Sequence, residues 1–286
     1  MNLPKEALSS INFKLAEGPM YYDEAYYWVD IKARSLFKFK GGKVESLVVE
    51  SDYLTSVVAH AKGSLIVSGK NNLMLIEDMQ TCVPLELEFD LPEEVRFNDA
   101  KVDPWGNYWI GTMDLNFDKP IGALYCIYGK GKLKKVLDGI ICSNGMIWNE
   151  EEKVFYYIDS KTQNVTSYQF DPDTVTLSSM KVIYHDIRPD VYPDGMTIDT
   201  EGFLYVALWG GSEVIKLNPH NGEIKERYSL PCPNVTSCCF AGEELNELMV
   251  TTASEDCDIK EYPSAGQVFK FETESKGLET KELKHY

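Results

Sequence analysis

The sequence predicts an all-β protein, a six-bladed β-propeller of four-stranded blades occupying residues 1–286 as a single domain. Three observations carry this. Long helical periodicity is scarce. Short apolar or aromatic strands alternate with polar turns along most of the chain. Six segments recur in phase, opening at Glu17, Ser56, Asp99, Asn144, Asp194 and Thr236, with starts 39, 43, 45, 50 and 42 residues apart. Four short strands per roughly 40–45 residues is the period of a propeller blade, and six such units require about 263 residues.

Each segment turns where the residue chemistry allows it. EGPMYYDEAYYWVDI, from Glu17, reverses at Asp23-Glu24, and SLFKFKGGKVESLVV from Ser35 supplies its second hairpin. SVVAHAKGSLIVSG, from Ser56, reverses at Lys62-Gly63. DAKVDPWGNYWIGT, from Asp99, reverses at Trp105-Gly106 and is followed by GALYCIYGKGKLKKVL from Gly122. NGMIWNEEEKVFYYID, from Asn144, reverses at Glu151-Glu152. DGMTIDTEGFLYVALW, from Asp194, reverses at Glu201-Gly202 and leads into EVIKLNPHNGEIKERYSL from Glu213. TSCCFAGEELNELMVTT, from Thr236, reverses at Gly242-Glu243. Asp, Asn and Gly supply turn geometry at most of these points. The stretch INFKL, residues 11–15, is expected to add a strand to the last blade and close the ring, which removes exposed sheet edges. A pair of β-sandwiches would also give short strands, but gives no reason for six units in phase.

Composition narrows the function. The chain carries 28 Lys and Arg against 45 Asp and Glu, a net charge of −17, and is 44% hydrophobic. An acidic surface repels phosphate backbones and anionic headgroups, so neither nucleic acid nor a membrane is an expected partner. No apolar run is long enough to span a bilayer, and the N-terminus lacks a basic region followed by an apolar stretch. The expected compartment is the cytoplasm, with the seven cysteines as thiols. Cys238-Cys239 is expected to pack between blades. No nucleophile elbow, phosphate-binding loop or Gly-x-Gly-x-x-Gly pattern is present. His60, His185, His220 and His285 lack metal-ligand spacing.

The first strand of a blade lines the central channel, so the six opening residues sit at one phase of the ring. All six carry a side-chain oxygen, and three are carboxylates. Carboxylates converging on a narrow axis repel one another unless a cation or protons neutralise them. An all-oxygen set suits Ca²⁺, Mg²⁺ or Mn²⁺ better than Zn²⁺ or Fe²⁺. The competing reading is that these residues are turn starters and strand caps.

Four stretches resemble one known family. They are Ala16-Glu17-Gly18-Pro19 with Trp28; Arg96-Phe97-Asn98-Asp99 with Gly111-Thr112-Met113; Ser143-Asn144-Gly145-Met146; and Pro193-Asp194-Gly195-Met196 with Trp209. In order and spacing they are similar to the regucalcin, gluconolactonase and luciferin-regenerating enzyme family of six-bladed propellers. The resemblance implies one divalent metal ion, Ca²⁺ first among the candidates, held by Glu17, Asn144 and Asp194. It implies that Arg96 and Asn98 contact substrate oxygens and that the substrate is a small sugar lactone. Asp194 would then serve as general base and acid. Relatives often carry an acidic group in the loop after Gly111-Thr112-Met113, where Asp114 or Asn116 stands here, so Asp114 is a further candidate for substrate contact. The acidic insertion at residues 253–265 could border the pocket, but a solvated loop is the favoured reading. A noncatalytic calcium-binding regulatory protein and a propeller scaffold for partner proteins are the alternative functions.

Overall fold

The computed structural model describes residues 2–284; His285 lies outside them. Six antiparallel four-stranded sheets form the blades, built from residues 16–48, 56–84, 95–140, 143–185, 192–229 and 235–272. Their first strands are Ala16–Tyr22, Ser56–Ala59, Val95–Val102, Ser143–Asn149, Tyr192–Ile198 and Val235–Ala241. Each packs against the first strand of the next blade, and the sixth packs against the first, so the ring is closed around one axis. All six predicted opening residues fall in these strands. Helix is confined, among the described residues, to two 3-10 turns, Ala61–Gly63 and Ser160–Thr162. No helix is long and apolar enough to cross a membrane.

The ring closes with an N-terminal strand, but not the expected one. Glu6–Ser9 pairs antiparallel with Val268–Glu272 as the outermost strand of the sixth blade. Residues 11–15 instead run inward from that edge to the first blade. Phe13 N–H donates to Gly266 C=O at 2.9 Å, and Leu15 bridges to Ala253. Phe13 and Leu15 alternate apolar residues with polar ones as a strand would. Phe13 is buried in the seam between the sixth and first blades, and Leu15 is buried with the core shared by the first and second blades.

The core lies between blades. Trp109 of the third blade tilts against Trp148 of the fourth, with centroids 5.2 Å apart. Phe13 meets Trp28 edge-on at 5.6 Å. Successive strand residues point to opposite faces. Cys238 therefore packs with Tyr205 of the fifth blade while Cys239 packs with Trp28 of the first. All seven cysteines are free thiols.

After the last strand, the chain crosses the lower end of the channel. Thr200 N–H donates to Lys276 C=O (2.8 Å), Gly277 N–H to Leu245 C=O (2.8 Å) and Thr280 Oγ1 to Tyr21 C=O (2.7 Å). Leu283 N–H then donates to Ala59 C=O (3.0 Å), and its side chain is buried. This strap leaves a narrow internal space beneath it and one open mouth at the opposite end.

Candidate active site

The upper mouth opens into a cavity of about 450 Å³. Glu17, Asn144 and Asp194, more than 170 residues apart at the extremes, all line it, as do Arg96 and Asn98. The local geometry explains how. In the first, third, fourth and fifth blades, pairing between the first two strands slips at the positions carrying these residues. The slips lie between Glu17 and Met20, Phe97 and Ala100, Ser143 and Met146, and Pro193 and Met196. A bulge of this kind unpairs the strand and re-aims its side chains. The second blade has no slip, and there Ser56 bonds to Ser68 instead of facing the cavity. Glycine follows each of the three candidate ligands. A Cβ on Gly195 would stand 2.0 Å from Ser237 Oγ of the next blade, and one on Gly145 would stand 2.7 Å from Asp194 C=O. Only glycine lets the inner strands approach this closely.

The six opening residues therefore divide. Three face the upper cavity. Asp99 faces the narrow space below, beside Lys101. Thr236 Oγ1 bonds to Ala16 C=O and Thr251 within the wall.

Hydrogen bonds join the polar floor into a chain with one direction. Arg96 Nη1 donates to Asn98 Oδ1 at 2.8 Å, and Asn98 Nδ2 donates to Asn144 Oδ1 at 3.0 Å. Asn144 Nδ2 donates to Ser160 Oγ at 2.8 Å, and Ser160 Oγ donates to Pro193 C=O at 2.7 Å. Arg96 is buried and pairs with no carboxylate among the described residues, so it is not a surface partner of Glu93 or Glu94. Its guanidinium lies over the Tyr53 ring at 5.3 Å, and among the described residues Nη1 alone carries its protein hydrogen bonds. Nη2 and Nε remain available to a ligand.

The two cavity carboxylates are costly to ionise where they stand. Burial, together with the Asp99 carboxylate, pushes Glu17 up to about 8. Burial and the charges of Glu17 and Asp99 push Asp194 well above the usual carboxylate range. Glu17 accepts Gly18 N–H, whereas Asp194 Oδ1 is fully buried without a hydrogen-bond partner among the described residues. An orphaned buried carboxylate oxygen is costly, and a proton, an ordered water or a bound cation compensates it; Asp114 Oδ1 in the neighbouring loop is unpartnered likewise. Two carboxylates and an amide oxygen form a hard, all-oxygen donor set that fits a divalent ion with open positions for water and substrate. Among the described residues, no cluster of three His, Cys, Asp or Glu side chains offers a competing site.

Asp114 is elsewhere. It is buried, and its Oδ2 accepts the N–H groups of Asp118 and Lys119, at 3.1 and 2.9 Å. These bonds hold its carboxyl below the ordinary range and fix the loop after Met113. Asp114 does not line the cavity; Leu115 and Phe117 of its loop do. Asn116 is exposed and outside the lining. Phe117 reaches across to Tyr192 of the fifth blade, edge-on at 5.4 Å. Trp209 lines the mouth. Sequence reasoning missed Tyr53, Cys142, Ser160 and Tyr192. Of the two readings of residues 253–265, the less favoured one holds at Glu255 and Asp256, which line the cavity, and Glu255 pairs with Lys32 at 3.1 Å. The acidity of that insertion was the available signal.

Comparison with known proteins adds independent findings. The family described as "SMP-30/Gluconolactonase/LRE-like region" matches residues 15–254. The Bacillus subtilis (strain 168) protein named "Putative sugar lactone lactonase YvrE" is 34% identical over 272 residues, covering 93% of each chain. Regucalcin of Gallus gallus is 32% identical over 278 residues, again covering 93% of each. Among solved structures, a luciferin-regenerating enzyme superposes with a TM-score of 0.88 at 28% identity, over 98% of both chains.

Proposed function

The chain belongs to the SMP-30/gluconolactonase/LRE-like family, and from that premise we propose that it is a divalent-metal-dependent lactonase that opens a sugar lactone to its hydroxy acid. The observation that carries this is the unpartnered, buried Asp194 Oδ1, which shares a cavity floor with Glu17 and Asn144. Those three residues would hold the ion, and their oxygen donors suit Ca²⁺, Mg²⁺ or Mn²⁺, with Ca²⁺ first among the candidates. When bound, the ion supplies Lewis acidity and neutralises the two carboxylates.

The chain's own residues do the rest. Asp194 takes a proton from the attacking water as its oxygen bonds to the lactone carbonyl carbon. Arg96, through Nη2 and Nε, donates hydrogen bonds to the oxyanion that develops there. The acyl–oxygen bond then breaks. Asp194 returns its proton to the departing ring oxygen, so water is consumed and a hydroxy acid is formed. Asn98, aligned by Arg96, orients substrate hydroxyls. The fixed loop behind Asp114 presents Leu115 and Phe117 to the substrate, so Asp114 acts through the loop and not by contact. The whole chain works as one domain in the cytoplasm, on a small molecule and without nucleic acid or membrane.

A second reading, a cation-binding protein without turnover, is favoured by the same orphaned carboxylate, since it needs only the ion. A panel of aldonolactones assayed with and without chelator separates the two. The lactonase reading requires chelator-sensitive turnover that Asp194→Ala abolishes while cooperative unfolding is kept. Metal-induced stabilisation with no turnover of any lactone would favour the second reading.

A further inference from the structure

We infer that Ser160 is a positioning residue that makes Asn144 a metal ligand by fixing which end of its amide faces the cavity. This rests on the reading of Glu17, Asn144 and Asp194 as the cation site and carries it one layer outward.

A guanidinium only donates and a backbone carbonyl only accepts. The hydrogen-bond chain across the floor begins at the Arg96 guanidinium and ends at the Pro193 carbonyl. Every link between them is therefore directed. Asn98 must accept through Oδ1 and donate through Nδ2. Asn144 must accept through Oδ1 at 3.0 Å and donate through Nδ2. Ser160 has one hydroxyl proton, and it is committed to Pro193 C=O at 2.7 Å. The lone pairs of Oγ are then left to accept Asn144 Nδ2 at 2.8 Å. Rotating the Asn144 amide by half a turn would set Nδ2 against Asn98 Nδ2, and Oδ1 against a hydroxyl with no proton left to give. Asn144 Oδ1 keeps a second lone pair for a cation.

Position reinforces this. Ser160 is buried and opens the 3-10 turn Ser160–Thr162 of the fourth blade. The turn is tied down by Ser160 N–H to Cys142 C=O at 3.0 Å, so the hydroxyl does not depend on its own rotamer alone. The carbonyl it reaches belongs to the residue preceding Asp194. One hydroxyl thus joins the strands carrying two of the three ligands. Cys142 Sγ also accepts Asn144 Nδ2, but at 3.6 Å it is a weak second acceptor.

The test is calorimetric titration of Ca²⁺ and of Mn²⁺ into metal-stripped protein, comparing wild type with Ser160→Ala and Ser160→Thr. Partners behind a ligand typically contribute 10–100-fold to metal affinity. Ser160→Ala should bind about 10–100-fold more weakly, and Ser160→Thr, which keeps the hydroxyl, should bind within about threefold of wild type. With lactone at saturating metal, kcat of Ser160→Ala should recover while its metal requirement stays raised. Should Ser160→Ala fail to fold, Ser160→Cys, with similar volume and a poorer acceptor, gives the same readout. A wild-type protein that binds neither ion would overturn the cation-site reading itself. A wild type that binds, beside a folded Ser160→Ala with unchanged affinity, would overturn the role of Ser160.

Discussion

Replacing Glu17 by Gln removes one of the carboxylates buried near the channel axis, and its effect on stability should change sign with metal. In the metal-free protein Glu17 holds its proton up to about pH 8, whereas the unfolded chain releases it near 4.5. Between these values the folded state binds the extra proton, so stability falls as pH rises. Below the window both states are protonated and no penalty exists; above it the penalty is complete. The full shift corresponds to at most about 5 kcal/mol. Because the Asp99 charge shares in the rise with burial, about 2–5 kcal/mol is expected. Gln resembles the protonated acid and is free of this cost. In excess chelator, urea unfolding should find Glu17→Gln and wild type alike near pH 4.5 and the variant more stable by about 2–5 kcal/mol at pH 8. In saturating Ca²⁺ the order should reverse, because the variant has lost a ligand. A wild type equally stable at both pH values in chelator, with no gain from the substitution, would refute the buried-carboxylate argument.

Other consequences are as direct. Arg96→Lys keeps the charge but loses the planar fork, and kcat/KM should fall by about 100-fold with the melting temperature little changed. Asp114→Ala should release the loop after Met113 and raise KM severalfold while kcat changes less; an equal loss in both would point to direct contact. Gly195→Ala places a methyl group on the Ser237 side chain and backbone of the next blade, and should destabilise by about 3 kcal/mol or more in thermal unfolding. Ending the chain after Lys276 exposes the pocket that buries Leu283, and should cost at least about 2 kcal/mol of stability.

The fold was legible because a blade is a short unit repeated, and repetition in the inner strands survives as a period. The three candidate residues were legible for the same reason: Glu17, Asn144 and Asp194 sit at one phase, each followed by a glycine, which blade contact demands at Gly145 and Gly195 and a positive φ of 56° favours at Gly18. Periodicity did not distinguish them from Ser56, Thr236 and Asp99, which share the phase. What separates these is the bulge, absent in the second blade, and the side to which the bulged residue turns. Those are properties of strand pairing, not of residue type. Asp114 lies outside the cavity lining and holds the loop beneath it, a difference that acidity alone does not reveal. Tyr53, Tyr192 and Ser160 come from strand ends and loops at the mouth, where no period operates. The closing strand was placed a few residues too late because 11–15 has the alternation of a strand. It uses that alternation to fill a seam, while the more polar Glu6–Ser9 suits the exposed outer edge.

The most direct measurement of the central claim is an anomalous difference map from crystals of the wild-type protein soaked in Mn²⁺. One strong peak is expected at the cavity floor, with oxygens of Glu17, Asn144 and Asp194 each within about 2.0–2.6 Å. The peak should vanish in Asp194→Ala. Density coordinated by other residues, or a floor that takes up no ion while the three side chains keep their present positions, would contradict the account.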